Sequence, residues 1–230
     1  MRTTLITVLA ASGLMATAAL AADKEAKAND RLAASADLVG DLMNAGDKGI
    51  PQELLDRAQC VVLVPGMKKA GFIVGAKYGR GFAVCRKGGS GWSAPAAIRV
   101  EGGSVGFQIG ASEQDILLLV NSKSGMNHLL SNKFTIGGDA TAAAGPLGRD
   151  ASAQTDAMMH AEMLSYSRSR GLFAGISLEG ATLRPDDETN MELYGHATTN
   201  TEILTGSAVA PEGAAKLEAA LNRHSAMKSK

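Results

Sequence analysis

The segment from Tyr166 to Gly180 constrains the fold more than any other part of the chain. Apolar side chains occupy every second position from residue 172, as in a strand with one buried face, at Leu172, Ala174, Ile176 and Leu178. Three glycines interrupt the same stretch: Gly171, Gly175 and Gly180. Glycines inside a strand are typical of bulges, bends or the close approach of another backbone. We therefore predict a half-buried strand in a curved sheet, which serves as scaffold rather than in chemistry.

Charge is balanced over the whole chain but not along it. The 230 residues are 45% hydrophobic, enough for one domain with a sizeable core, and the formal net charge is 0. A balanced charge gives no general attraction to nucleic acid or to an anionic membrane, so we expect no nucleic-acid partner. One stretch is strongly basic, however, since no acidic residue lies between Asp56 and Glu101. Its cations include Lys68, Lys69, Lys77, Arg80, Arg86, Lys87 and Arg99.

The first 21 residues have the pattern of a secretory signal peptide. A short start with the single charge of Arg2 precedes an apolar, alanine-rich run from Leu5 to Leu20, and Ala19-Leu20-Ala21 is an A-x-A cleavage pattern. The alternative, a membrane anchor, is disfavoured because the run is short, rich in small residues and lacks a positive flank. We therefore expect an exported protein, periplasmic or secreted.

Two helices are predicted before the first strand. Apolar residues recur at helical spacing from Lys24 to Asn44, and Pro51 is placed to open a short helix at residues 52–58. The first helix lacks the large apolar residues and basic polar face of a membrane-surface helix, so we expect it to pack on the domain. The continuous apolar run Cys60 to Val64 predicts a strand buried on both faces.

A hairpin is the next expectation. Pro65-Gly66 predicts a turn, and strands 71–77 and 80–86 would then flank Tyr78-Gly79. That hairpin would gather four cations at one end as a candidate anion site: Lys68, Lys69, Arg86 and Lys87. Lys77 and Arg80 would lie at its other end, about 20 Å away. The alternative is that these are solvated turn residues.

The two cysteines, Cys60 and Cys85, leave two interpretations open. An exported protein can form a disulfide, and the alternative is a pair of buried thiols. In a simple meander of the three predicted strands the two residues lie at different levels. A disulfide needs Cα atoms within ~7 Å, so that meander would not allow the bond.

The rest of the chain predicts more sheet and then helices. We expect strands at 96–100, 104–109 and 116–120, a short helix at 124–131, and a small-residue loop with an edge strand at 134–146. A strand at 157–167 would pair with 172–183. Helices follow at 185–194, 200–204 and 211–224, before a lysine-rich tail. The predicted fold is α+β: a curved antiparallel sheet or partly open barrel of six to eight strands flanked by N- and C-terminal helices.

No catalytic or cofactor motif meets its structural requirements. Ser104 lies in a G-x-S-x-G pattern, but it follows a glycine turn and precedes a strand, whereas a nucleophile elbow needs strand, turn and helix. The four histidines are far apart, and no glycine-rich stretch has phosphate-loop spacing. The acidic run at Asp186, Asp187, Glu188 and Glu192 is typical of a helix start rather than a metal site. We therefore predict no enzyme, no cofactor and no metal.

Several motifs together resemble one family. They are the segment Tyr166 to Gly180, G-F-I-V-G-A-K-Y-G-R-G (71–81), W-S-A-P (92–95), G-F-Q-I-G-A (106–111), G-P-L-G-R (145–149) and Tyr194-Gly195. In this order, over residues 33–206, the chain strongly resembles the SYLF family of lipid-binding domains. With the signal peptide predicted at 1–21, the chain would be a bacterial-type exported member of this family. Its SYLF-like domain would span 22–210, followed by a C-terminal helix and tail at 211–230. Within the domain, helices would span 24–58 and a β-rich core 60–183.

The resemblance also implies a function. Family members bind phosphoinositides and other anionic lipids such as phosphatidic acid, and the yeast members also bind actin, which an exported protein would not meet. The expected partner is therefore an anionic phospholipid membrane surface, contacted at its periphery without catalysis. Candidate contacts are Lys68, Lys69, Arg86, Lys87, Lys77, Arg80, Arg168 and Arg170, with Arg149 as a further cation. The alternative is a structural or protein-interaction module of the cell envelope, using a glycine-rich sheet edge.

Overall fold

The computed structural model describes residues 3–46, 49–88, 91–148, 160–206 and 208–225, with side chains omitted at 3–22, 72–74 and 104–110. Its elements in chain order are α1 (Thr3–Asn44), α2 (Gln52–Arg57), β1 (Cys60–Cys85), β2 (Ala96–Val120), α3 (Lys123–Leu130), β3 (Phe134–Thr135), β4 (Ala142–Ala144), β5 (Met163–Ser169), β6 (Leu172–Gly175), β7 (Ala181–Pro185), α4 (Asp187–Tyr194), α5 (Asn200–Leu204), a 3-10 turn (Glu212–Ala214) and α6 (Ala215–His224). The predicted helices are confirmed. The described residues do not include Arg149, positions 157–159 of the predicted strand 157–167 or the tail from Lys228.

Two very long strands dominate the sheet. β1 and β2 pair antiparallel from Cys60–Val120 to Ala83–Ala96 and form a continuous two-stranded ribbon. The sequence predicted six shorter strands here. The predictions of turns at Pro65-Gly66, Tyr78-Gly79, 101–103 and 112–113 are therefore wrong, because these residues lie within the two long strands. The turn-forming residues are absorbed into the ladder, where a register shift between Val64 and Met67 accommodates the first of them.

The ribbon folds back on itself. Between the pairs Gly71–Gly110 and Ile73–Gly106, β1 advances two residues and β2 four, which is a large bulge halfway between Cys60 and Cys85. The strand thereby returns to its own start: a Cβ on Gly81 would lie 1.9 Å from the carbonyl oxygen of Leu63.

The two ends of β1 are joined covalently. The sulfurs of Cys60 and Cys85 are bonded at 2.01 Å and their Cα atoms lie 4.0 Å apart. The predicted meander, which would not allow this bond, is wrong, because β1 is one bent strand whose ends meet rather than three separate strands. We call this the disulfide end of the ribbon, and residues 66–79 with 101–114 the folded end.

β2 organises the remaining strands. It pairs with β5 from Asp115–Arg168 to Val120–Met163, and with β7 from Ile98–Pro185 to Gly102–Ala181. β3 pairs with β7, β6 pairs with β5, and β4 joins β5 in parallel, which gives a seven-stranded sheet in the described residues. The predicted fold class, α+β with a curved sheet and flanking helices, is confirmed.

Both faces of the sheet are buried near the disulfide end. Val62 and Val64 belong to one apolar core, whereas Val61 and Leu63 belong to a second. The prediction that the run Cys60 to Val64 is a strand buried on both faces is confirmed. The second core is covered by α1 through Leu32 and other buried residues and by α6 through Leu217 and Leu221. The N-terminal helix therefore packs its apolar face on the domain, as predicted.

The segment after Arg170 differs from the expectation. β6 ends at Gly175, where a Cβ would lie 2.3 Å from the carbonyl oxygen of Gly145, and Leu172 is 68% exposed rather than buried. Beyond the strand, Ile176 and Leu178 do pack in the first core. The apolar positions predicted to share one buried face are therefore exposed before Gly175 and at least partly buried after it. Residues 181–185 pair with β2 and β3 instead of β5.

Candidate functional site

Three lysines lie on β1 at the folded end of the ribbon. Lys68 and Lys69 pair with Glu113 and Ser112 of β2, and Lys68 is exposed. Lys77 is buried, and its ammonium donates a hydrogen bond to the carbonyl oxygen of Glu179 at 2.9 Å. Burial lowers the pKa of Lys77, and the neighbouring positive charge of Lys69 lowers it further. Lys69 and Lys77 thus share one electrostatic environment because the strand folds between them.

Arg170 belongs to the same region. It lies two residues beyond the pair Asp115–Arg168, on the exposed turn that leads from β5 into β6, with φ at 51°. Because β5 and β2 are antiparallel, moving from Arg168 to Arg170 corresponds to moving along β2 from Asp115 toward Glu113, which pairs with Lys68 at the folded end. The strand register therefore places Lys68, Lys69, Lys77 and Arg170 toward the same end of the ribbon. We call these four the folded-end cations.

Arg86 has a structural role. Its guanidinium donates hydrogen bonds to the carbonyl oxygens of Ala58 at 2.9 Å and of Leu55 and Ser225 at 3.1 Å, and lies 4.3 Å from the ring centre of Trp92. Burial lowers its pKa. Lys87 is exposed beside it, at the disulfide end. The expected cluster of Lys68, Lys69, Arg86 and Lys87 is wrong, since the hairpin that would gather them is a bent ribbon with the pairs at opposite ends.

Two further candidate arginines form ion pairs. Arg168 donates to Asp115 at 2.7 Å and contacts Asp41 of α1. Arg80 approaches the carboxylates of Asp186 at 3.3 Å and Glu188 at 3.6 Å. Their charges are partly neutralised by carboxylates of the same chain, so they are weaker candidates for a lipid contact than the folded-end cations.

A row of three arginines crosses the sheet, and the sequence did not predict it. Arg80 of β1 pairs with Arg99 of β2, which pairs with Arg184 of β7. Directly opposite residues share a face, and like charges in such positions are destabilising. One guanidinium nitrogen of Arg184 donates to both carboxylate oxygens of Glu101, at 2.7 and 2.6 Å. Only the register across three strands reveals this row, and no local sequence signal encodes it.

The described residues contain no grouping of three or more histidine, cysteine or carboxylate side chains suited to a metal. Ser104 lies within β2 opposite Gly75, which is not the strand–turn–helix setting of a nucleophile elbow. In the acidic run, Asp186 precedes α4, and Glu188 and Glu192 approach Lys24 of α1 at 2.6 and 3.8 Å. Among the described helices, none combines the length and apolar character needed to cross a bilayer.

Comparison with known proteins identifies the family. The family model described as "Ysc84: Las17-binding protein actin regulator" matches residues 101–224. SH3 domain-containing YSC84-like protein 1 of Xenopus laevis is 38% identical over 176 residues, which cover 76% of this chain and 52% of that protein. SH3 domain-containing protein PJ696.02 of Schizosaccharomyces pombe is also 38% identical, over 75% of this chain and 41% of its own length.

A relative from budding yeast is also similar over most of the chain. Protein YSC84 of Saccharomyces cerevisiae is 34% identical over 171 residues, which cover 73% of this chain and 36% of that protein. The chain thus spans about half, or less, of the length of the curated relatives it matches. The resemblance to the SYLF family is confirmed, and the chain belongs to the Ysc84 (SYLF) family.

Proposed function

We propose that this chain is an exported, non-enzymatic domain that binds anionic phospholipids at the membrane surface, with phosphatidic acid or phosphoinositide head groups as ligands. The observation that carries the proposal is the gathering of Lys68, Lys69, Lys77 and Arg170 at the folded end of the ribbon. Its expected location is the periplasm or the cell exterior, peripheral to a membrane.

Local charge has to supply the attraction, because the formal net charge of the chain is 0. Each lysine or arginine near an anionic membrane surface contributes about 1 kcal/mol, and the effect fades within a Debye length. Lys68 and Arg170 are exposed, and Lys69 is partly so. These three supply the direct contacts, whereas Lys77 acts from a buried position.

The N-terminal helix is not the contact in this proposal. Its residues Leu32, Leu38 and Leu42 are buried in the second core. Exposing them to lipid would uncover that core, and burying a leucine side chain is worth about 1.5–3 kcal/mol. Binding through the ribbon leaves the fold intact.

A protein-binding role in the cell envelope is the second candidate. The matched family is described by a protein partner, and β6 is a short edge strand that pairs only with β5 in the described sheet and exposes Leu172. An open strand edge is a common docking site for an extended peptide. Such binding would not depend on lipid charge.

Co-sedimentation of residues 22–230 with liposomes separates the two candidates. The vesicles are pure phosphatidylcholine, or phosphatidylcholine with phosphatidic acid or a phosphoinositide, at low and at high salt. Our proposal expects binding only to the anionic vesicles and its loss in high salt. Equal sedimentation with neutral and anionic vesicles, or none with either, would refute it and leave the protein-binding role.

A further inference from the structure

We propose that the cleft beside Arg99 and Arg184 is a binding site for one phosphate monoester group, separate from the folded-end cations. The cleft has a volume of about 620 Å³ and lies between the β7 end of the sheet, the end of α3 and the starts of α4 and α5. Both guanidinium groups line it. The inference does not rest on the function proposed above.

The charges in the arginine row are compensated unequally. Arg80, at one side, has carboxylates of Asp186 and Glu188 within 3.6 Å. Arg99 and Arg184 share the single carboxylate of Glu101, which hydrogen-bonds Arg184 and stays 3.6 Å from the Nε of Arg99. Arg99 and Arg184 thus share one carboxylate on the sheet side, although Asp187 and Glu202 also line the cleft.

Two hydrogen-bond donors of these arginines also favour an anionic ligand. The Nε atoms of Arg99 and Arg184 are buried, and neither has an acceptor among the described residues. A ligand with several acceptor oxygens in the cleft would satisfy both Nε atoms. Phosphate oxygens match the forked geometry of guanidinium groups.

The surroundings define the ligand further. A smaller adjoining cleft of about 160 Å³ adds Lys133 beside Arg184 and Glu101. Asp187 and Glu202 also line the main cleft, and Glu202 accepts a hydrogen bond from the backbone N–H of Thr199. Carboxylates would repel a second phosphate but accept hydrogen bonds from hydroxyls. The site therefore suits a small hydroxylated phosphomonoester better than a polyphosphate.

Calorimetric titration of residues 22–230 with glycerol 3-phosphate and with inorganic phosphate, without lipid, tests the site. Saturable binding is expected, and Arg99→Gln and Arg184→Gln should each weaken it about 10-fold or more, since each removes a charged hydrogen bond. Arg223→Gln, an exposed arginine on α6, is the matched control and should bind as the wild type does.

The variant Glu101→Gln distinguishes phosphate binding by Arg99 and Arg184 from a purely structural role of these arginines. Removing the competing carboxylate should strengthen phosphate binding, while circular dichroism checks that each variant folds. No saturable binding by the wild type and Glu101→Gln, or unchanged affinity in both arginine variants, would overturn the proposal.

The source of the phosphate is resolved by competition. If the natural ligand is a lipid head group, glycerol 3-phosphate should displace the protein from vesicles that contain phosphatidic acid, and Arg99→Gln should weaken that vesicle binding. If it is a soluble metabolite, vesicle binding is unchanged while glycerol 3-phosphate still binds. Vesicle binding without any binding of the soluble phosphates would contradict this site yet leave the membrane proposal standing.

Discussion

At the scale of single residues, burial decides which basic side chains are available to a ligand. Arg86 and Lys87 are neighbours in the sequence, yet Arg86 bonds three carbonyl oxygens and stacks on Trp92, whereas Lys87 is exposed. Their sequence context is the same. Sequence alone could identify the basic segment. It could not separate structural from available cations, because the carbonyl acceptors belong to Leu55, Ala58 and Ser225, which are distant from Arg86 in the sequence.

Arg86→Gln should therefore lower stability rather than lipid affinity. We expect the unfolding free energy to fall by about 3 kcal/mol, because hydrogen bonds to a charged group and a cation–π contact are lost. Urea unfolding followed by Trp92 fluorescence measures the change. Lys87→Gln is the matched control and should stay within about 0.5 kcal/mol of the wild type. A stable Arg86→Gln protein that no longer binds vesicles would contradict this role.

Glu162 gives a prediction about pH. Although burial opposes it, hydrogen bonds from Ser124 and Thr141 and the nearby His128 hold the pKa of Glu162 below its ordinary value of 4.5. A depressed pKa in the folded state stabilises the protein above the unfolded value, and this contribution is lost as the pH falls through the folded value.

Glu162→Gln should therefore be less stable than the wild type near pH 6, and the difference should shrink toward pH 3. Urea unfolding at the two pH values measures it. An equal difference at both would show that the charge of Glu162 does not contribute.

At the scale of elements, the bent ribbon is the feature that sequence reasoning missed. The buried run Cys60 to Val64 was predictable because its pattern is local. The continuity of β1 was not, since Pro65-Gly66 and Tyr78-Gly79 are turn signals that pairing with a partner strand overrides. The arginine row was hidden for the same reason, because its three members meet only through the register of β1, β2 and β7.

Gly81 is a sensitive test of the bend. A Cβ at this position would lie 1.9 Å from the carbonyl oxygen of Leu63, which is backbone and cannot move aside cheaply. Gly81→Ala should destabilise the fold by about 3 kcal/mol or more, by forcing apart two parts of one strand. Gly88→Ala is the control, because nothing lies within 4 Å of its Cβ position. Equal thermal stability of the two variants would argue against the folded ribbon.

The disulfide should hold the ribbon's ends together. It links residues separated by 25 positions, and a loop of that size predicts a stabilisation of about 3–4 kcal/mol. Adding a reductant should lower the unfolding free energy of the wild type by this order. The double variant Cys60→Ala/Cys85→Ala should not respond to reductant. An identical unfolding curve of the wild type with and without reductant, after thiol counting shows full reduction, would contradict the role.

At the scale of the whole molecule, the ribbon separates a packed end from an available one. Two apolar cores and the covering helices α1 and α6 enclose the disulfide end, while Lys68, Lys69 and Arg170 lie toward the folded end. The fold class and the family could be predicted from sequence, because composition, glycine pattern and motif order extend over most of the chain. The position of the candidate surface could not, since it depends on where the ribbon bends.

The most direct test of this account compares two triple variants in vesicle co-sedimentation. The first reverses three folded-end cations: Lys68→Glu, Lys69→Glu and Arg170→Glu. The second makes the same charge change with exposed cations near the disulfide end: Lys87→Glu, Lys123→Glu and Arg223→Glu. At about 1 kcal/mol per cation, the first variant should bind vesicles containing phosphatidic acid at least about 100-fold more weakly, while the second keeps most of its affinity. Equal losses in both variants, or a loss only in the second, would contradict binding through the folded end.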